Sequence, residues 1–279
     1  MPSFYPSLAP LPTDIGSASN PIIITWVPTS DLSKMQSANT AITNVLEQKT
    51  GFKFKSSIAK TQIEAVDAIG NGNAQIAWLD AFSYVAAKKR YNITLGLVGL
   101  RNGKDSTTSE IIVSTSIASI AELKGKTFCV ADRQSLTDFV VPSIILNANG
   151  IDPQKDLRIT ETRSAIETVR AIYNRTCDAG AVSASVRDDA RQEMADLMTR
   201  IQVLDTSPII PNHAVVISNN LAADKRNVIV RVLEDLPSAT LATHPYLIDS
   251  LAPRDDKLYD RLRDLFTKAG VNVWQRLGK

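Results

Sequence analysis

The chain has 279 residues, of which 44% are hydrophobic and 22% charged, with a formal net charge of +2. That length holds two domains of ordinary size, and the composition is that of a soluble globular protein. Near-neutral charge gives no general electrostatic case for nucleic acid or membrane-surface partners, and no apolar run approaches the roughly 18–20 residues that span a bilayer.

Residues 1–20 (MPSFYPSLAPLPTDIGSASN) are rich in Pro and Ser and show neither a helical nor a strand period. They lack the basic start and apolar core of a secretory signal. They read as a disordered tail or a tether. Beyond them, strand-like runs alternate with amphipathic stretches, the mark of an α/β fold with mainly parallel strands. Ile22–Val27 reads as a strand and Ser33–Thr50 as a helix, with Met35, Ala38, Ile42, Val45 and Leu46 at helical spacing and Gly51 as its stop. Strand Phe52–Ser57, helix Thr61–Asn71, strand Ala74–Leu79, helix Ala81–Tyr91 and strand Thr94–Leu100 follow. A second unit runs through strand Lys126–Ala131, helix Thr137–Asn149, strand Leu157–Thr160, helix Ala165–Arg175, strand Ala179–Val182 and a helix within Ser185–Met198. Pro208 and Pro211 then break regular structure. Strand His213–Ser218 and helices over Ala223–Leu236, Ala239–Asp249 and Asp255–Ala269 complete the chain.

Catalytic signals are thin. The two histidines, His213 and His244, stand beside turns or prolines and read as surface or turn residues. There is no glycine-rich phosphate loop, no nucleophile elbow and no spaced metal-ligand set, so neither a metal nor a cofactor is expected. Charged runs such as Lys88-Lys89-Arg90 and Arg187-Asp188-Asp189 fit solvated helix faces. Cys129 and Cys177 both fall on strand-like segments. They read either as buried free thiols or, in an exported protein, as a disulfide between neighbouring strands.

Binding signals collect where strands run into helices, the place where ligands lodge in open α/β sheets. Four turns stand out. The first holds Thr29, Ser30 and Asp31, the second Thr61 and Gln62, the third Trp78 and Asp80. The fourth lies in LKGKTFCVADRQSLTDFVVP, Leu123–Pro142, where Ser135 or Thr137 caps a helix whose free N–H groups and dipole favour an anion.

That last segment resembles the phosphonate/phosphite-type substrate-binding proteins of ABC importers, which typically read LKGKTFAFVDPxSTSGYxxP there. Further matches in order are ITWVPTSD, IAWLDAFSYVAA, EIIVSTSIASIAELKGKTF, NANGIDPQKDL, TCDAGAV, TSPIIPN and DDKLYDRLRDLFTKAGV. The resemblance spans nearly all of residues 21–279. It implies the two-lobed type II periplasmic binding protein fold, with mixed, mainly parallel sheets flanked by helices. Lobe 1 is expected at 21–111 plus 217–279 and lobe 2 at 112–216, joined by crossovers around Glu110–Ser116 and Pro211–Asn219. It further implies an extracytoplasmic, monomeric protein, periplasmic or at the cell surface. Residues 1–20 would then be a lipoprotein tether, a membrane permease the partner and a small phosphorus oxyanion the ligand between the lobes.

The departures from the family pattern bear on the ligand. Ser-Thr-Ser-Gly-Tyr is here Ser135-Leu136-Thr137-Asp138-Phe139, and Gly-Ser-His is Arg163-Ser164-Ala165. Ser185 stands where an acid is common, and Gln62 where an aromatic is. Asp138 would repel an oxyanion, whereas Arg163 could neutralise it or replace the histidine's charge. Alternatively Asp80 and Asp138, with Trp26 or Trp78, could form an acidic aromatic pocket for an organic cation, and a neutral solute is a further option. The rival classes are an enzyme similar to the thiamine pyrimidine synthases, for which two isolated cysteines offer no cysteine-rich motif, and a solute-sensing receptor domain.

Overall fold

The computed structural model describes residues 14–29 and 31–277. The chain opens with β1 (Ile22–Trp26), α1 (Leu32–Thr50), β2 (Phe54–Ile58), α2 (Gln62–Gly70), β3 (Ile76–Leu79), α3 (Ala81–Arg90) and β4 (Leu95–Leu100). There follow β5 (Ser106–Thr107), β6 (Ser109–Ser114), β7 (Thr127–Val130), α4 (Val141–Ala148), β8 (Arg158–Glu161), α5 (Ala165–Tyr173), β9 (Ala179–Ser183), α6 (Ala184–Glu193) and α7 (Leu197–Arg200). The rest is β10 (Ile201–Thr206), β11 (Ile210–Pro211), β12 (Ala214–Ile217), α8 (Ala223–Glu234), α9 (Ser238–Ala242), β13 (Ser250–Ala252), α10 (Asp260–Lys268) and α11 (Val273–Leu277).

Two compact units result. Unit 1 comprises Met1–Gly103, His213–Asp255 and Val273–Lys279; unit 2 comprises Lys104–Asn212 and Asp256–Asn272. Unit 1 holds a sheet of order β13-β4-β12-β3-β1-β2, and unit 2 one of order β10-β6-β9-β7-β8. In unit 1, β1 pairs in parallel with β2 and β3, while β12 runs antiparallel to β3 and β4. In unit 2, β7 pairs in parallel with β8 and β9, while β6 runs antiparallel to β9 and β10. Each sheet is therefore mixed, with a reversed strand, β12 or β6, set inside it, and in unit 1 the edge strand β13, antiparallel to β4, is reversed as well.

The expected crossovers thus differ in kind from what is observed. Glu110–Ser116 and Pro211–Asn219 hold β6 and β12, interior strands whose alternating residues are buried on both faces. The chain instead passes between units at Gly103/Lys104 and Asn212/His213, and residues 256–272 associate with unit 2 rather than with unit 1. Tyr259 shows why: its side chain is buried and its hydroxyl donates to the Asn212 carbonyl at 3.0 Å.

Period-2 alternation builds unit 2 as two cores on one sheet. Ile111, Val113, Phe128, Val130, Ala179 and Ala181 pack on one side; Ile112, Cys129, Val182 and the α5 residues Val169 and Ile172 pack on the other. On this second side Cys129 and Cys177 form a disulfide, with Cα atoms 6.1 Å apart. Cys177 lies just ahead of β9 rather than on a strand. Gly180 lets α5 approach, because a Cβ there would stand 2.7 Å from both the Cys129 carbonyl oxygen and Thr168 Cγ2.

Other differences from the sequence-based elements have local causes. The helix expected over Ala239–Asp249 ends at Ala242, because Pro245 disfavours helical backbone before it and Leu247 adopts φ 54°. The helix expected from Thr137 opens with a π-helical turn, Leu136–Val140, before α4. Strands β10 and β13 fall where no strand was expected. Of residues 1–20, the first thirteen lie outside the described residues. Residues 14–20 are packed structure: Ile15 is buried, Lys53 N–H donates to Gly16 O, and Lys225 Nζ donates to Ile15 O.

Candidate functional site at the strand-end loops

Three parallel strands of unit 1 end in loops that open helices, so the sheet order places those loops side by side. Thr29 follows β1; its hydroxyl faces Met35 Sδ at 3.8 Å, a weak contact. Ser30 lies outside the described residues. Thr61 caps α2 by accepting Glu64 N–H at 3.2 Å, while Glu64 reaches back to Lys60 N–H at 2.9 Å. Asp80 caps α3, accepting Ser83 N–H at 2.8 Å and the Ser83 hydroxyl at 3.0 Å. Gln62 Nε2 donates to Asp80 Oδ2 at 2.9 Å, so the second and third loops are joined. Burial pushes the Asp80 carboxyl above its ordinary range, opposed by the Ser83 hydrogen bonds.

Trp78 is not at an edge. It has no exposure and stacks in a buried ring cluster with Trp26, His244 and Tyr246, its centroid 4.5 Å from that of Trp26. Its indole N–H is buried without a hydrogen-bond partner. Trp26 is equally buried, its Nε1 donating to Ser56 Oγ at 2.8 Å. An aromatic wall made directly by either tryptophan is therefore not what the sequence folds into. Nor is His244 at the surface: it is fully buried, with Nε2 2.8 Å from Asn39 Oδ1. Burial, and secondarily Lys34, lowers it to about 4.

The residue sequence reasoning passed over at this edge is His213. Its neighbour Ala214 pairs with Leu79 across the antiparallel β12–β3 ladder, so His213 comes level with Asp80. It is half-buried and stacks on Tyr246 with centroids 3.8 Å apart. Burial, then His244, pushes it down to about 3, so it is uncharged at neutral pH. A histidine directly before a four-residue apolar strand was the available signal.

In unit 2 the loops after β7, β8 and β9 share an edge by the same topology. Ser135 Oγ accepts Asp138 N–H at 3.2 Å and lies 3.2 Å from Thr137 Oγ1, which donates to Asp138 Oδ1 at 2.8 Å. Leu136 and Thr137 are half-buried, and Asp138 is 8% exposed. Desolvation lifts the Asp138 carboxyl to about 6, opposed by Thr137. Ser164 caps α5 by accepting Glu167 N–H at 3.3 Å. Arg163 is exposed, and no ion pair joins it to Asp138. Arg133 pairs instead with Glu161 at 3.0 Å.

Thr61, Asp80, Ser135 and Ser164 therefore all serve as helix caps, each supporting its helix by about 1 kcal/mol. Capping does not exhaust the hydroxyls. A serine or threonine that accepts an N–H still has its O–H to donate, whereas a carboxylate can only accept until it is protonated. The Thr61 and Ser164 hydroxyls suit an anion, the Ser135 proton goes to Thr137 and the Thr137 proton to Asp138, and Asp80 and Asp138 oppose an anion while ionised.

Arg187 departs furthest from expectation. It does not lie on a solvated face: its side chain is 18% exposed and stands against Glu110, 8% exposed, with Nε and Oε2 2.9 Å apart. Neither atom makes an aligned hydrogen bond, so the pair is held by charge. Burial raises the Glu110 carboxyl, and Arg187 counters that rise. Among the described residues no group of three or more His, Cys, Asp or Glu could hold a metal ion, and no helix is long and apolar enough to cross a membrane.

Comparison with known proteins places this geometry in a family. A family model described as the periplasmic substrate-binding protein of phosphonate ABC transporters matches residues 24–267. Among solved structures, a binding protein component of an ABC phosphonate transporter from Pseudomonas aeruginosa aligns with TM-score 0.65 at 20% identity, over 90% of this chain and 87% of that one. PhnD1 from Prochlorococcus marinus, solved in complex with methylphosphonate, aligns with TM-score 0.65 at 13% identity, over 92% and 99%. A Xanthomonas citri protein solved with a chloride ion aligns with TM-score 0.70 at 14% identity, over 91% and 99%. At these identities the structures share the fold.

Proposed function

Because the chain belongs to the family of periplasmic substrate-binding proteins of phosphonate ABC transporters, we propose that it captures a small phosphorus oxyanion and delivers it to a membrane permease. The two units correspond to the two lobes of the binding protein. The ligand contacts come from strand-end loops, and no bond is made or broken. The protein acts as an extracytoplasmic monomer tethered through its N-terminal segment.

The observation that carries the ligand reading is the Ser135–Asp138 turn. The Ser135 and Thr137 hydroxyls stand at the head of a helix, where the dipole and free N–H groups favour negative charge, and their protons, which pass in series along the turn to the Asp138 carboxylate, turn to the anion when it binds. Thr61, Gln62 and Asp80 supply the corresponding edge of unit 1, with Thr29 in the loop after β1, and Ser164 belongs to the edge of unit 2. Leu136 and Trp78 shape the surroundings and do not donate to the ligand. Calorimetry with methylphosphonate, phosphite and phosphate tests the reading. Binding of at least one is expected, and Ser135→Ala with Thr137→Ala should abolish it.

A second reading rests on the Asp138 carboxyl, which lies in the same turn with no cation paired to it. An organic cation such as a quaternary ammonium would use that charge instead of opposing it. Binding of choline with none of the three oxyanions would decide for this reading and against the first.

A further inference from the structure

We propose that Arg187 is the anion-contacting cation of unit 2, and that Glu110 is the counter-charge that holds it while no ligand is bound. The proposal deepens the oxyanion reading and rests on it.

Placement is the first support. Arg187 lies in the opening turn of α6, directly after β9, on the same sheet edge as the Ser135–Asp138 turn after β7. Ser109 ties the two places together. Its side chain donates to the Thr137 carbonyl, and its backbone pairs with Ser183 at the end of β9. The next residue, Glu110, meets Arg187. Consecutive residues of β6 thus meet both loops at this edge, Ser109 the turn after β7 and Glu110 the opening turn of α6.

Chemistry is the second. The turn itself carries a carboxyl rather than a cation, and Arg163, the expected replacement, is exposed and makes no ion pair with it. Arg187 is the shielded cation of this edge, and shielding strengthens its attraction for an anion. Its Nε is buried and lacks an aligned acceptor, although Glu110 Oε2 stands only 2.9 Å away. Its terminal NH2 group reaches the exposed Asp188 at 3.2 Å. Guanidinium donors arranged as a planar fork match two oxygens of a phosphonate, which a poorly aligned single contact does not satisfy.

The alternative is a structural pair that only pins α6 to β6, and it predicts a different sign. Removing Glu110 from a structural pair leaves a buried charge, lowers stability and does nothing for ligand affinity. In the proposed arrangement the same removal leaves Arg187 uncompensated until the ligand arrives, so affinity rises. Calorimetry with methylphosphonate is run on wild type, Arg187→Gln, Arg187→Lys and Glu110→Gln, with circular dichroism reporting folding. The expected results are weakening by about 10- to 150-fold for Arg187→Gln, the range for a charged hydrogen bond. Partial retention is expected for Arg187→Lys and tighter binding for Glu110→Gln. Unchanged affinity in a folded Arg187→Gln overturns the proposal while leaving the oxyanion reading intact. If Arg187→Gln does not fold, Glu110→Gln decides: unchanged or weaker binding overturns the proposal. Failure of wild type to bind methylphosphonate, phosphite and phosphate overturns the oxyanion reading and this proposal with it.

Discussion

Replacing Asp138 with Asn changes the charge of the unit 2 turn while keeping its shape. Asp138 is 8% exposed, and desolvation lifts its carboxyl from 3.8 to about 6. A folded-state value above the unfolded one means that the native state holds the proton more tightly. The resulting stability is fully present below about pH 4 and is lost as pH rises through about 6. Above that range, burying the ionised carboxylate costs about 3 kcal/mol relative to a group that never ionises. Asn keeps an acceptor for the Thr137 hydroxyl but gives up the carboxylate's attraction to the helix start, roughly 0.3–1 kcal/mol. Asp138→Asn should therefore stabilise the protein by about 2 kcal/mol at pH 7.5, with the gain shrinking to nothing near pH 4. The choice of probe matters. Trp26, Trp78 and Trp274, the three tryptophans of the chain, all belong to unit 1, so their fluorescence would miss the effect. Urea titration followed by far-ultraviolet circular dichroism at pH 4, 5.5 and 7.5 reads it, with hydrogen exchange of the β7 and β9 amides locating it in unit 2. A variant less stable than wild type at pH 7.5, or a difference that does not change with pH, would refute the assignment of a costly buried charge.

The same substitution should tighten methylphosphonate binding several-fold at pH 7.5, since it removes a like charge from the turn; calorimetry showing equal or weaker binding would place the ligand away from Asp138. The Cys129–Cys177 disulfide closes a sequence separation of 48, so replacing both cysteines with Ala should lower stability by up to about 4 kcal/mol in the chain-entropy account, measured by urea titration without reductant. Gly180→Ala should cost about 1–3 kcal/mol on the same titration, because the added Cβ meets the Cys129 carbonyl and Thr168 at 2.7 Å; a neutral result would mean that α5 can withdraw from β9 freely.

What the sequence by itself determined was everything governed by local pattern. The 3.6-residue spacing of Met35, Ile42 and Leu46, closed by Gly51 in the left-handed region at φ 75°, specifies α1 almost to the residue. Alternation of hydrophobic residues with turn chemistry likewise locates β1, β3, β7 and β9, and the ordered motifs identify the family. The cap residues were legible as well, because Thr61, Asp80, Ser135 and Ser164 act through bonds three residues away. Tertiary structure alone decided what depends on pairing between distant segments. Strand β10 shows no sign of itself until β6 offers it an edge, and residues 256–272 join unit 2 because Tyr259 finds the Asn212 carbonyl. It also decided which charges are shielded. Trp78, His244 and Arg187 look alike in sequence as candidates for exposure, yet all three are largely covered, and Glu110 meets Arg187 from 77 positions away. Burial is a property of what packs over a side chain, and neither periodicity nor charge pattern carries that information.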